Sequence, residues 1–130
     1  MPFEITNEQT RNQFFVQGLR KILNYDGLKD VKVAYNVARV GALLDLHQKE
    51  ADEVFKKLIK SHGTLSENGT FEIDDANMDD WKKAHAEFLG HTTKVERHKI
   101  RIQDVEGVPL TPSEIAALEP VLDGLDRLDD

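Results

Sequence analysis

The feature that most restricts what this chain can fold into is an unbroken helical pattern from Val31 to His62. Its first half carries two overlapping apolar stripes. One is Val31, Tyr35, Ala38 and Ala42, and the other is Val33, Val37, Val40 and Leu44. Both step by three or four residues, the spacing of one helix face. Together they leave this half apolar around most of its circumference, which predicts burial by neighbours on several sides. After Leu46 the stripe narrows to Ala51, Val54, Phe55 and Leu58, while the opposite face becomes polar with Gln48, Lys49, Asp52, Glu53, Lys56, Lys57 and Lys60. Asp52–Lys56 and Glu53–Lys57 are acid-before-base pairs one turn apart, each worth roughly 0.2–0.5 kcal/mol. The late lysines suit the negative helix end. Gly63 is expected to stop the helix in the left-handed conformation. The helix is then eight or nine turns long, roughly 45–48 Å at 1.5 Å per residue. Its second half is expected to lean out from the core or to meet another subunit. Gly41 interrupts it at a cost of about 1 kcal/mol against Ala, which points to close packing by a neighbouring helix rather than to a hinge or ligand contact.

The chain of 130 residues is expected to be one domain over 1–130, large enough to bury a core. It reads as a strand plus helical hairpin (1–63), a hairpin-helix-strand stretch (64–107) and a capped C-terminal helix with an acidic tail (108–130). No run of eighteen apolar residues is present, so no membrane span is expected. Met1-Pro2-Phe3-Glu4 does not read as a secretory signal. The absence of cysteine excludes disulfides, thiol catalysis and cysteine-ligated zinc and fits an intracellular setting. The net charge of −7 argues against nonspecific nucleic-acid binding. The charge is segregated: net +2 over 1–63, −5 over 64–93, +1 over 94–107 and −5 over 108–130. The acidic stretches serve solubility or dock onto a basic partner.

Phe3 and Ile5 flank Glu4 in a short alternating strand. Thr6 and Gln9 form a capping box that opens a helix running to about Asn24, with Phe15, Leu19, Ile22 and Leu23 on its buried side. Residues 24–27, Asn-Tyr-Asp-Gly, are turn chemistry. Asn68-Gly69 predicts a type I′ hairpin turn, with positive φ at both residues, and Phe71 and Ile73 alternate as a half-buried strand should. Asp74 or Asn77 caps a further helix lined by Met78, Trp81, Ala84, Phe88 and Leu89 and ended by Gly90. A third strand is read over His98–Gln103, with Ile100 and Ile102 on one face. The strands are expected to share one small sheet beneath the helices. Thr111-Pro112-Ser113-Glu114 is the clearest local signal, a capping box with Pro at the first helical position. Ile115, Leu118, Val121, Leu122 and Leu125 are its docking residues, Pro120 breaks the helix, and Asp126 to Asp130 are expected to fray. The fold class is α+β and mostly α: a long central helix, two or three further helices and about three short strands.

Nothing in the sequence assembles a catalytic constellation, and no enzyme activity or cofactor is expected. A calcium loop around Gly69 fails, because Thr64 and Asp75 would occupy its first and last positions where Asp and Glu are needed. Asp74, Asp75, Asp79 and Asp80 are explained by capping and the helix dipole rather than by a cation. His85 and His91 lack a metal-ligand spacing, and Glu87 and His91 meet only if the helix runs past Gly90. His47 is read as a hydrogen-bonded residue at the core boundary. Ser61-His62 is a helix end, not part of a triad. Lys94, Arg97, Lys99 and Arg101 form a basic strip, the last three alternating onto one strand face. With Lys56, Lys57 and Lys60 they are the candidate partner-binding residues. The strip protects an exposed edge or meets an acidic surface. Nucleic acid is not the expected partner for it.

Three stretches carry a resemblance: Phe3-Glu4-Ile5-Thr6-Asn7; Val33-Ala34-Tyr35-Asn36-Val37-Ala38-Arg39 in a helix that ends with Lys56-Lys57-Leu58-Ile59-Lys60; and residues 107–120, Gly-Val-Pro-Leu-Thr-Pro-Ser-Glu-Ile-Ala-Ala-Leu-Glu-Pro. In this order they resemble a family of small uncharacterised proteins of tailed bacteriophages and prophages. None of these motifs is catalytic, so no site residues carry over. The resemblance implies a phage protein made in the bacterial host cytoplasm during assembly and often encoded among virion genes. A non-enzymatic structural or assembly protein is therefore expected, such as a head–tail junction or tail component, oligomeric and partnered by other phage structural proteins. The alternative is a phage-encoded binding protein that modulates a host factor.

Overall fold

Asp30 opens the long helix by accepting hydrogen bonds from the backbone amides of Lys32 (2.8 Å) and Val33 (3.2 Å), two of the donors a helix start leaves unpaired. The helix then runs Val31–His62 without interruption, at the bounds the periodicity predicts. The computed structural model describes residues 2–65 and 67–125, and the expected fraying of Asp126 to Asp130 lies outside them. In chain order the elements are β1 (Phe3–Thr6), α1 (Asn7–Arg11), α2 (Gln13–Leu23), α3 (Val31–His62), β2 (Thr64–Leu65), β3 (Phe71–Glu72), α4 (Asp75–Gly90), β4 (Thr92–Val95), β5 (Ile100–Arg101), a 3₁₀ turn (Ile102–Val105), α5 (Pro112–Ala117) and β6 (Leu122–Asp123). The chain is α+β and mostly α.

The Thr6–Gln9 capping box is present, but the helix it opens does not reach Asn24 unbroken. Asn12 ends α1 and starts α2, its side chain accepting from the Phe14 amide at 2.8 Å. An Asn that satisfies a backbone amide locally offers the chain a way out of the helix. Phe15, Leu19 and Ile22 are buried as expected, whereas Leu23 is 41% exposed. Leu23 lies across Gly41: a Cβ built on Gly41 would collide with Leu23 Cδ2. Close helix packing is therefore the reason for that glycine. Gly18 plays the same part between α2 and α5, where its Cβ would come within 2.7 Å of Leu118 Cδ1.

The strands do not share a sheet. Among the described residues they make three two-stranded ribbons. β1 runs antiparallel to β4 with Phe3 opposite Val95, β2 antiparallel to β3, and β5 parallel to β6 with Ile100 opposite Leu122. β4 has no counterpart in the sequence reading, although Thr92, Thr93 and Val95 are the β-branched residues a strand favours. The expected strand over His98–Gln103 shrinks to two residues before the 3₁₀ turn begins. In the hairpin only Gly69 has positive φ (81°), so the turn is not type I′. The β2–β3 register leaves five residues, 66–70, between the strands, too many for a two-residue turn. Gly63 is extended, not left-handed. It is small because a Cβ there would meet the Glu72 carbonyl oxygen and the Phe71 ring.

The Thr111–Glu114 capping box is formed, and α5 stops at Ala117, short of Pro120 as expected. The chain then turns through Leu118 into β6. One buried core draws on all three stretches of the chain: Phe15, Ile22, Val40 and Leu44 from the helical hairpin, Ile5 and Val95 from the first ribbon, and Ile100, Val105, Leu118 and Val121 from the C-terminal third. The second half of α3 does not stand alone. α4 covers its inner face, where Phe55 meets Trp81 (ring centroids 6.0 Å apart) and Phe88 (5.4 Å), and Phe71 meets Trp81 edge-on (5.2 Å).

Candidate protein-binding surfaces

The two stripes of α3 have opposite fates. Val37, Val40 and Leu44 are buried, with Val33 half-buried beside them. The other stripe faces outward: Val31 is 68% exposed and Tyr35 60%, and Ala38 and Ala42 are exposed too. Leu46, 54% exposed, continues the same side. The expected burial on several sides is thus corrected to burial on one. α2, α5 and the β1–β4 and β5–β6 ribbons share the core with Val40 and Leu44, and no described element covers the other side. Exposed apolar side chains in a contiguous row mark an interaction surface more often than scattered ones do. The Arg39 guanidinium rests over the Tyr35 ring at 5.4 Å. Beside the row, Leu28, Val31, Ala34, Tyr35 and Ala38 line a shallow groove of about 300 Å³ together with the charged Lys29 and Asp30.

The basic strip is not one strand face. Lys94 lies on β4 opposite Glu4 and 3.5 Å from the Glu96 carboxylate. Arg97 and Lys99 fall in the connection between β4 and β5, both half-buried. Arg101 is held by Asp104 through two nitrogens at 3.1 and 3.3 Å, and this contact raises its pKa further. Lys94 and Lys99 do line one cleft of about 820 Å³, but they share it with Glu4, Glu8 and Glu119. The cleft is therefore mixed in charge. Lys56, Lys57 and Lys60 are exposed on the last turns of α3, with Lys56 3.6 Å from Glu53.

The acidic cluster at the start of α4 is exposed, and Asp74 occupies the N-cap position without a side-chain cap bond. Its backbone carbonyl accepts from the Asn77 amide instead (2.9 Å). Among the described residues no group of His, Asp and Glu converges as a metal ion would require. α4 ends at Gly90, so Glu87 and His91 do not meet as successive turns of one helix.

His47 departs from its expected role. It is 7% exposed and its Nε2 has no hydrogen-bond partner. It lines a groove of about 350 Å³ between α3, α4 and β4, with Asn7, Glu50, Glu87, Phe88 and His91 around it. Burial lowers the His47 pKa, the Glu50 charge opposing the shift and His91 adding to it. Asn7 is also buried. Its amide nitrogen donates to the Phe88 carbonyl at 2.8 Å and its Oδ1 is unpartnered. Sequence alone had one signal for these two residues: polar side chains on the turns that carry the apolar stripes.

No family model, curated protein or solved structure matches the chain. No described helix is long and apolar enough to cross a membrane.

Proposed function

We propose that this chain is a non-enzymatic structural or assembly protein of a tailed bacteriophage, acting through protein–protein contacts in the host cytoplasm and in the particle. The observation that carries the reading is the uncovered row of α3, Val31, Tyr35, Ala38, Ala42 and Leu46, on the side opposite the core. An apolar row of this length on a small chain is suited to a partner surface. The resemblance in residues 3–7, 33–60 and 107–120 supplies the phage setting, with a head–tail junction or tail position as the expected place. Other phage structural proteins and further copies of this chain are the proposed partners. Homo-oligomers usually close with point-group symmetry, and a closed ring is the assembly proposed for this chain.

The deciding experiment is quantitative mass spectrometry of gradient-purified particles. A fixed copy number near a ring multiple supports the reading, and absence from particles overturns it. A second reading is favoured by the exposed acidic start of α4, where Asp74, Asp75, Asp79 and Asp80 are all at the surface. On that reading the chain docks onto a basic face of a host protein and modulates it. Recovery of a stoichiometric host complex from infected cells, with no copies in particles, selects it.

A further inference from the structure

We propose that the groove between α3, α4 and β4 binds a primary alkylammonium group, its charged head held by Glu50, Glu87 and the buried His47 and its chain laid along Val54, Leu58 and Ala84. This goes beyond the protein-contact reading and does not depend on it.

Two side chains of the groove are incomplete. His47 and Asn7 both line it and are only 7% and 4% exposed. His47 Nε2 and Asn7 Oδ1 are buried with no hydrogen-bond partner. An unpaired buried polar atom is costly, and native chains rarely leave one without a ligand, an ion or a water. Asn7 is fixed in this state. Its backbone amide donates to the His91 carbonyl at 3.1 Å and its Nδ2 to the Phe88 carbonyl at 2.8 Å, so Oδ1 is the end left over. Burial holds the His47 pKa below 6.5, and a neutral imidazole keeps one nitrogen that accepts. Both side chains are completed by an occupant that donates.

The walls say what kind of donor fits. α3 and α4 run antiparallel here. Phe55 meets Phe88 (ring centroids 5.4 Å apart), and His62, later on α3, meets Trp81, earlier on α4 (6.0 Å). Along α3 the lining passes from His47 and Glu50 to Val54 and Leu58, and along α4 it passes back from Glu87 to Ala84. Both carboxylates therefore stand at the His47 end, one on each wall, and the apolar side chains at the other. Val54 is 48% exposed there. Among the described residues no lysine or arginine lines the groove.

An ammonium group donates three hydrogen bonds and accepts none, which matches a head end made of carboxylates and unpaired acceptors. From Glu50 to Leu58 is about 12 Å along the helix at 1.5 Å per residue, room for a short alkyl chain. The groove volume of about 350 Å³ falls within the range of small-ligand sites. A metal ion fits less well. Among the described residues no His, Asp and Glu converge on one point, and an ion would leave the apolar half unused. A free amine and a lysine side chain of another protein share the ammonium chemistry, and the test separates them.

Hexylamine is titrated into the full, isotope-labelled chain at pH 7 and followed by NMR. Saturable shifts should centre on the Asn7 side-chain amide and on the backbone of His47, Glu87 and Phe88, at roughly millimolar amine. Hexanol has the same chain and no charge, and should bind about fivefold more weakly or worse. Hexylamine should lose affinity to the same extent in Glu50→Gln/Glu87→Gln protein, which alters only exposed side chains and should fold as the parent does. His47→Leu should weaken binding as well. If N-acetyl-lysine methylamide shifts the same residues, the site takes a partner protein's lysine; if only hexylamine does, it takes a free amine. Absence of saturable shifts with hexylamine overturns the site. So does equal binding of hexanol, or either variant binding hexylamine as the parent does. Micromolar zinc chloride shifting these same resonances would overturn it in favour of a metal.

Discussion

Lys21 Nζ lies 2.7 Å from Glu114 Oε1, joining α2 to the first turn of α5 across 93 positions of sequence. The Glu114 carboxylate is 2% exposed and also accepts from the Thr111 amide at 2.9 Å. One side chain thus completes the capping box of α5 and anchors that helix to α2. The Lys21 contact and then the Thr111 amide hold its pKa below the usual carboxylate value. A carboxyl whose folded pKa is depressed stabilises the fold above its unfolded pKa, and that contribution disappears as the pH falls through the folded value. Glu114→Gln should therefore lower the melting temperature at pH 7, and its deficit should shrink steadily below the ordinary carboxylate range. Melts of both proteins between pH 7 and pH 3 check this. A deficit that stays constant with pH would assign the loss to shape and not to charge.

The two close-packed glycines should respond differently to alanine. At Gly18 the added Cβ meets Leu118, which is fully buried and cannot retreat. Overpacking costs roughly 1–3 kcal/mol, and the gain in helix propensity offsets about 1 kcal/mol of it. Gly18→Ala should be destabilising by up to about 2 kcal/mol. At Gly41 the colliding atoms belong to the end of Leu23, a flexible side chain with open solvent beside it. Leu23 can swing aside, so Gly41→Ala should be neutral within about 1 kcal/mol. Denaturant unfolding of the two variants gives the comparison.

Leu44 and Leu46 are two residues apart on one helix and differ completely in environment. Leu44 is 0% exposed and Leu46 54%. Leu44→Ala should cost about 2–5 kcal/mol, and Leu46→Ala, measured in dilute protein, should stay within about 0.5 kcal/mol. Leu44→Asp places a charge in the core and should abolish the soluble fold. A Leu44→Asp melt within a couple of degrees of the parent would show that the core lies elsewhere.

His47 carries a pH dependence of the same sign as Glu114 in a different window. Its folded pKa is lowered, chiefly by burial, below the ordinary 6.5. Below that value the unfolded chain takes up a proton that the folded chain refuses, so stability falls as the solution becomes acidic. His47→Leu removes the proton acceptor and the unpartnered Nε2 together. The variant should match or exceed the parent at neutral pH and should lose less stability between pH 7 and pH 5. Equal acid sensitivity in the two proteins would exclude His47 as its source.

Local chemistry was legible in the sequence and long-range partnership was not. Thr6–Gln9, Thr111–Glu114 and the bounds of α3 depend on residues within one or two turns, and all three can be read from spacing. Asn12 shows the limit of that reading, because its neighbours fit one continuous apolar pattern and only the Asn side chain diverts the backbone. The strand partners were hidden for a different reason. Phe3-Glu4-Ile5 fixes a strand but says nothing of whether Phe71, Val95 or Ile100 lies across from it. Both stripes of α3 are apolar, and although Val33, Val37, Val40 and Leu44 carry more apolar bulk than Val31, Tyr35, Ala38 and Ala42, the positions of the other elements decide which one is covered. Glu114 illustrates both cases: its cap was visible locally, and its lysine was not.

The pairing of Phe3 with Val95 also bears on how the chain is born. A ribosome delivers residues in order, so β1 emerges first and must wait for β4 while every helix up to α4 passes it. The contacts of α1 with α2, α2 with α3 and α3 with α4 are closer in sequence and close quickly, whereas this ribbon must span most of the chain, a loop whose closure is slow. Phe3 and Ile5, both buried at the end, stay uncovered during that interval, and so does the strand edge between them. β5 likewise waits for Leu122. The last third of the chain therefore completes the fold begun by β1, and a nascent chain arrested before it presents an uncovered strand to whatever chaperone is at hand.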